Sequence, residues 1–246
     1  TVDGGARSSR TGTGPRANIP AATRPPAPGA RLLRALLLSF VAVGAVVFVG
    51  RVGVIGAQEP LDLDINLVGA ERLVDHAPLY EGDDAARARA VELGGPAMAG
   101  AFTRPTNSFV GPPSTALVHV PFTWLDHDLG VALFRVLALA GMVAAVALVA
   151  RVLPPGRRLD GFLLGAGALL LASATSETLA LGQGHELVML GLAAAIWGTA
   201  RQRWGWVGAG LALATVLKIT PVLLVAYLVV RGRRQVLPAF VATAVA

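Results

Sequence analysis

Two aspartates beside a long apolar segment are candidates for acid–base chemistry. Asp62 and Asp64 begin a stretch in which apolar residues recur with helical spacing from Leu63 to Leu73. A carboxylate within hydrogen-bond reach of a hydroxyl can act as its general base. Residues two apart on a helix point about 200° away from each other, so only one of the two can face a given substrate. A solvated acid at the start of a helix is the alternative for both.

Two cationic side chains stand inside apolar segments, where a charge is costly. Lys218 is the only lysine of the chain and lies at the midpoint of the apolar stretch 204–230, and Arg135 lies six residues inside another apolar segment. A lysine at the centre of a bilayer costs about 3 kcal/mol. Both are therefore candidates for contact with an anionic group, phosphate or carboxylate. A snorkelling or structurally paired cation is the alternative for both.

A short polar turn, Leu181 to His185, separates two apolar segments and offers the side chains of Gln183 and His185. A metal site formed by His185 with the nearby glutamates is one interpretation, and a polar helix cap is the favoured one. Elsewhere, His119 is expected as a polar residue at the membrane interface and His127 as a solvated one. We therefore predict no resident metal and no cofactor, and leave a divalent ion open.

The composition indicates a membrane protein. Of the 246 residues 54% are hydrophobic and only 15% are charged, whereas about 25% charged is typical of soluble domains. The mean hydropathy is +0.63, and the apolar residues come in blocks long enough to span a bilayer. These features exclude a soluble enzyme, a disordered chain, a coiled coil and a nucleic-acid-binding module. The absence of cysteine from the sequence excludes disulfides and thiolate metal ligands.

Arginine clusters beside the apolar blocks predict the topology. Spans are predicted near 35–51, 129–151, 161–176 and 186–200, followed by a pair of short helices, 204–217 and 219–230, and the start of a further span at 236–246. The pair meets at Lys218 because Pro221 disfavours helix at the residue before it. Arginines cluster in the tail 1–34 and at 151–158, 201–203 and 231–234. We expect all four on the cytoplasmic side of the plasma membrane, with the tail disordered.

The region 57–128 is predicted to be a large extracytoplasmic loop. It holds 11 of the 15 acidic residues and only four arginines. Short helices are predicted near 63–73, 83–93 and 114–125, the last lying on the membrane surface. The chain is expected to be truncated at its C-terminus, since 236–246 is too short to span. The predicted fold class is an all-α polytopic membrane protein.

Four stretches resemble the GT-C glycosyltransferases that use polyprenyl-phosphate sugars, and more narrowly glycosyltransferase family 87, which includes mannosyl- and arabinofuranosyltransferases. They cover about residues 35–240. They are Asp62-Leu63-Asp64-Ile65-Asn66 with Pro78-Leu79-Tyr80; Phe109-Val110-Gly111-Pro112-Pro113 with Pro121; Leu181-Gly182-Gln183-Gly184-His185; and Ala212 to Pro221 with Arg231 to Arg234. Asn66, Gly111 and His185 depart from the residues that are common in the family.

The resemblance implies a GT-C-like helix bundle that transfers a sugar, mannose or arabinofuranose, from a polyprenyl phosphate to a glycolipid or cell-envelope glycan on the extracytoplasmic side. Asp62 aligns with the family's general base, with Asp64 as the runner-up. Implied substrate contacts are Lys218, Arg135, Gln183, His185 and Tyr80. The expected partners are the donor, the acceptor and membrane lipids, with no nucleic acid. A transporter or flippase that uses Lys218 and Arg135 along a pathway is one alternative, and a non-catalytic membrane fragment or scaffold is another.

Overall fold

Ten α-helices make up most of the part of the chain that the computed structural model describes, residues 28–55, 61–80, 88–89, 91–92, 109 and 111–245. They are α1 (Pro28–Ile55), α2 (Leu61–Val74), α3 (Pro113–His119), α4 (His127–Ala150), α5 (Arg158–Leu171), α6 (Ser173–Leu181), α7 (His185–Ala200), α8 (Trp204–Leu217), α9 (Val222–Val230) and α10 (Val236–Ala244). Short 3-10 segments cover Val120–Trp124 and Pro155–Arg157. These residues include no strand, so the all-α prediction is confirmed. Most of the predicted tail and of the predicted helix 83–93 lies outside the described residues.

Two of the described helices are long and apolar enough to cross a membrane. Gly29–Gly53 within α1 has a mean hydropathy of 2.5, and α4 has 2.4. The segment Pro155–Leu171, which contains α5, passes the same test only together with α6, and the two are bent by 65°. Helices α7 and α8 are apolar but shorter, with 16 and 14 residues. The part of the chain that the structure describes is therefore that of an all-α membrane protein, with two long apolar helices and a third apolar segment that is bent.

The first helix starts earlier than the sequence predicts. Helix α1 begins at Pro28, so residues 28–34, expected in the tail, are helical. Proline suits the first turn of a helix because its fixed φ is pre-organised and its missing N–H has no partner there anyway. Arg34 then pairs with Asp160 of α5, with 3.1 Å between Nε and Oδ1. This contact ties the start of α1 to the start of α5.

The single segment predicted over 161–176 is broken at Ala172. This residue takes an extended conformation, φ −67° and ψ 124°, between α5 and α6. A break in a membrane helix frees carbonyl groups that need new partners. Arg51, near the end of α1, donates from Nη1 to the carbonyl oxygen of Leu171 at 2.6 Å. The sequence did not reveal the break because its partner lies 120 residues away.

Glycines allow α7 and α8 to pack closely. A Cβ atom added at Gly210 of α8 would lie 2.4 Å from the carbonyl oxygen of Gly191 and 2.9 Å from the backbone nitrogen of Ala195, both in α7. Real Cβ atoms essentially never come so near to backbone, so the crossing requires glycine. Small residues at such crossings are typical of helix pairs in membranes.

Replacing Gly210 by leucine is expected to destabilise the helix pair by about 1–3 kcal/mol, because an overpacked contact forces the helices apart. Thermal unfolding of the detergent-solubilised protein measures the change. Gly205→Leu is the matched control on the same helix, since a Cβ atom there meets nothing within 4 Å. Equal melting temperatures for the two variants would contradict the close crossing.

Several arginine-bearing segments lie at one end of the helix bundle. Arg34 pairs with Asp160, and Arg201 Nη2 donates to the carbonyl oxygen of Arg151 at 3.2 Å. Helices α7 and α8 run antiparallel, joined by the short connection 201–203. The start of α7 and the end of α8 therefore lie together at the opposite end.

Candidate active site

A cavity of about 450 Å³ lies at the end of the bundle opposite these arginine segments. Its walls come from the first turns of α2, from α3, from the turn between α6 and α7, and from the residues that follow α8. The polar side chains that line it are Asp62, Asn66, Thr115, His119, Gln183, His185, Glu186 and Lys218. Chain segments that are far apart in sequence thus contribute to one polar cavity.

Asp62 faces this cavity from the first turn of α2. Gln183 donates a hydrogen bond from Nε2 to Oδ2 of Asp62, over 2.7 Å. Asp64 does not line the cavity: it is buried with no exposed surface, and His127 Nε2 lies 3.6 Å from its Oδ1. His127, expected in solvent, is instead 25% exposed and sits beside this carboxylate. The two aspartates of α2 thus have separate surroundings, as residues two apart on a helix should.

The turn that presents Gln183 depends on the glycines on either side of it. Gly182 and Gly184 have φ values of +73° and +66°, the left-handed region that side chains other than glycine rarely adopt. In addition, a Cβ atom at Gly182 would lie 2.4 Å from Cβ of Leu63 in α2. The turn therefore rests directly on the helix that carries Asp62, which explains how Gln183 reaches the carboxylate.

Gly182→Ala is expected to separate Gln183 from Asp62 and to lower about tenfold any reaction that depends on this carboxylate, since a misplacement of about 1 Å can cost up to 10²-fold in rate. The left-handed conformation should also lower stability by about 1–2 kcal/mol. Initial rates and thermal unfolding measure the two effects. Gly156→Ala is the control, because a Cβ atom there meets nothing within 4 Å and its φ is ordinary. A fully active Gly182→Ala variant would show that the contact is dispensable.

Lys218 enters the cavity at the break between α8 and α9. Helix α8 ends at Leu217, Lys218 is extended with φ −150° and ψ 114°, and Pro221 precedes α9. The Lys218 ammonium donates to Nε2 of His185 across 2.7 Å. Because an ammonium can only donate, this nitrogen of His185 carries the lone pair and the ring is neutral. Lys218 is exposed.

Helix α3 secures the end of α8 next to Lys218. The Ser114 hydroxyl donates to the carbonyl oxygen of Val216, and Thr115 Oγ1 donates to that of Leu217 over 3.4 Å. The last carbonyls of a helix have no partners within the helix, so these hydroxyls act as its cap. They set the point at which the chain leaves the helix and Lys218 begins.

Two residues predicted to contact substrate have other positions. Arg135 does not line the cavity; it donates to the carbonyl oxygens of Leu179 and Ala180, each over 3.3 Å, at the end of α6. A cation there also interacts favourably with the helix dipole. Tyr80 is exposed and does not line the cavity, and its hydroxyl donates over 3.3 Å to the carbonyl oxygen of Gly111, a residue of the cavity wall. Neither side chain reaches the cavity directly.

His119 and Glu186 also line the cavity, although the sequence offered Glu186 only in the less favoured metal site with His185 and did not single out His119. His119, expected at the membrane interface, is only 1% exposed, and its ring stacks on Phe134 with centroids 5.4 Å apart. Burial lowers the pKa of His119, although its hydrogen bond to Thr115 acts in the opposite direction. Glu186 is 3% exposed. Among the described residues, no three His, Asp or Glu side chains are arranged to hold a metal ion.

A comparison with known families decides the class of protein. The model of glycosyltransferase family 87 matches residues 109–246, more than half of the chain. The chain belongs to glycosyltransferase family 87. This membrane glycosyltransferase carries Gln183, His185 and Lys218 inside the matched region, whereas Asp62 precedes it. The membership favours an enzyme over the transporter and scaffold alternatives. No curated protein and no solved structure matches the chain.

Proposed function

We propose that this family 87 glycosyltransferase takes its sugar, mannose or arabinofuranose, from a polyprenyl phosphate and transfers it to a glycolipid or cell-envelope glycan on the extracytoplasmic side. One observation carries the proposal: a single cavity holds an oriented carboxylate, Asp62, and an exposed cation, Lys218. Sugar transfer from a lipid phosphate needs a base for the acceptor hydroxyl and a cation for the phosphate that leaves.

In the proposed reaction, Asp62 takes the proton of the acceptor hydroxyl while the hydroxyl oxygen forms a bond to the anomeric carbon of the donor sugar. The bond between this carbon and the phosphate oxygen breaks, and the polyprenyl phosphate leaves with the electron pair. Lys218 stabilises the negative charge that develops on the phosphate. Gln183 holds one oxygen of Asp62 by its hydrogen bond, so the other oxygen receives the proton.

His185 is proposed as a positioning residue for Lys218. Its neutral ring accepts from the ammonium at 2.7 Å, and its Nδ1 lies 3.5 Å from the Thr178 hydroxyl. The ring therefore directs the ammonium without adding a competing positive charge. Arg135 and Tyr80 are proposed to support the walls, through the end of α6 and through Gly111 respectively.

The donor class is tested by incubating membranes that contain the protein with radiolabelled polyprenyl-phosphate mannose, polyprenyl-phosphate arabinofuranose or the corresponding nucleotide sugars. Label should pass from a polyprenyl-phosphate donor into glycolipid or glycan. Membranes from cells without the protein serve as the background. Transfer from a nucleotide sugar when polyprenyl-phosphate synthesis is blocked would overturn the proposed donor.

The sidedness of the site follows from the charge asymmetry and can be tested with single cysteines. Asp75→Cys, within the predicted outer loop, should react with a membrane-impermeant maleimide in intact cells. Gly156→Cys, in the predicted cytoplasmic connection, should react only after permeabilisation. Both positions are exposed, and the chain contains no other cysteine. Labelling of Gly156→Cys in intact cells would contradict the topology.

A further inference from the structure

Two buried polar side chains in the wall of the cavity keep an atom without a hydrogen-bond partner. These atoms are Nε2 of His119 and Oε2 of Glu186, and neither has a partner among the described residues. Both side chains line the cavity, with 1% and 3% of their surface exposed. Leaving a buried polar group unpaired is costly. An explanation is therefore needed for two such groups in one place.

The tautomer of His119 makes its free nitrogen an acceptor. Nδ1 lies 2.7 Å from the carbonyl oxygen of Thr115, which can only accept, so Nδ1 carries the proton. The lowered pKa keeps the ring neutral near pH 7. Nε2 then has a lone pair and no hydrogen. Stacking on Phe134 and the bond to Thr115 hold the ring in one orientation, so the direction of the lone pair is set.

His119 and Glu186 approach the same part of the cavity. A Cβ atom at Gly184 would lie 4.0 Å from Cε1 of His119 and 4.0 Å from Oε1 of Glu186. Gly184 leaves this space clear, beside Gln183, whose side chain donates a hydrogen bond to Asp62. The two side chains that carry the free acceptors, a neutral imidazole and a carboxylate, thus lie close to the same point of the cavity wall. Their natural complement is a ligand that presents two hydroxyl donors, as a sugar ring does.

We propose that His119 and Glu186 form a sugar-binding subsite, in which Nε2 of His119 and Oε2 of Glu186 each accept a hydrogen bond from a hydroxyl group of a substrate sugar. The inference rests on the proposed function and deepens it. The sugar belongs either to the donor or to the acceptor. Donor and acceptor sugars are both polyols whose hydroxyl groups can donate hydrogen bonds. Kinetics with analogues of each substrate shows which of the two sugars occupies the subsite.

The first test uses ligand analogues and the unaltered protein. Monodeoxy analogues of the donor sugar and of the acceptor sugar are compared with their parents by kcat/KM. A missing hydroxyl that normally donates to His119 or Glu186 should lower kcat/KM about 10- to 100-fold. The substrate whose analogues are affected is the one that occupies the subsite. If every deoxy analogue of both substrates reacts like its parent, the subsite does not exist.

The second test links the hydroxyl to the residue. His119→Phe preserves an aromatic ring against Phe134, and Glu186→Met removes the carboxylate at similar length. Each of these two variants should use one deoxy analogue as well as the parent substrate. Glu186→Gln retains one acceptor oxygen, so it should still prefer the parent substrate in part. Ser176→Ala is the control, because Ser176 is buried outside the cavity and bonds to the Ser173 carbonyl oxygen. Discrimination that survives in His119→Phe and Glu186→Met would overturn the assignment.

The third test separates this inference from the proposed function, because it needs no transfer. Without substrate, a buried carboxylate that keeps one oxygen unpaired is destabilising, so Glu186→Met should raise the melting temperature of the solubilised protein by a few degrees. A melting temperature that falls below that of the unaltered protein would show that Oε2 of Glu186 has a structural partner and would overturn the subsite. If stability rises but no polyprenyl-phosphate sugar is used, only the proposed donor fails.

Discussion

Asp62→Asn is expected to reduce sugar transfer by about 10²- to 10⁴-fold, the range that positioned general bases contribute. The amide has nearly the shape of the carboxylate but cannot take the proton of the acceptor hydroxyl. Its oxygen still accepts from Gln183, so the first turn of α2 should remain in place. The apparent KM for the donor should change little, because the donor phosphate is assigned to Lys218. Initial rates at saturating donor and acceptor measure the effect.

Two neighbouring acids serve as controls for this variant. Asp75→Asn alters an exposed residue just after α2 and should transfer sugar at the unaltered rate. Asp64→Asn alters a fully buried carboxylate beside His127, so it should affect stability more than transfer. If Asp64→Asn were inactive but stable while Asp62→Asn remained active, the roles of the two aspartates would be exchanged. If both were active, the base would be elsewhere.

Lys218→Met should lower kcat/KM for the donor about 10²-fold, chiefly through a higher donor KM. Methionine fills similar space but offers no charge to the phosphate, and removing a donor to a developing anion typically costs 10²- to 10³-fold in rate. Lys218→Arg should keep part of the activity because it preserves the charge. Steady-state kinetics with the donor varied at fixed acceptor measures the difference between the variants.

Stability distinguishes this role from a structural one. Lys218 is the one charged residue inside the apolar stretch 204–230, so Lys218→Met, which removes this charge, should be as stable as the unaltered protein or more so. The acceptor KM should stay the same, since Lys218 is assigned to the donor. His185→Phe should have a smaller effect of the same kind, because it releases the ammonium without removing it. An unchanged donor KM in Lys218→Met would leave only the structural role.

Local patterns in the sequence were sufficient for the class of fold and for part of the site. Long apolar blocks indicate a membrane protein because length and hydropathy decide which segments enter a bilayer. Pro221 predicts the interruption of helix near Lys218 because proline restricts the residue before it. The spacing of Asp62 and Asp64 predicts that they face different surroundings because a helix turns about 100° per residue. Each of these conclusions depends only on neighbours along the chain.

Only the tertiary structure decided which distant side chains meet. Asp62 and Gln183 are 121 residues apart, and Lys218 and His185 are 33 apart, yet each pair is joined over 2.7 Å. The sequence likewise did not predict the break at Ala172 or the burial of His119 and Glu186. Periodicity shows that one face of a helix is apolar, but not which segment packs against it. Helix packing determines which segment covers that face, and here the glycines at 182 and 210 set how closely neighbouring segments approach. The sequence by itself therefore determined a membrane protein with candidate groups, whereas packing between remote segments decided which of them share a cavity.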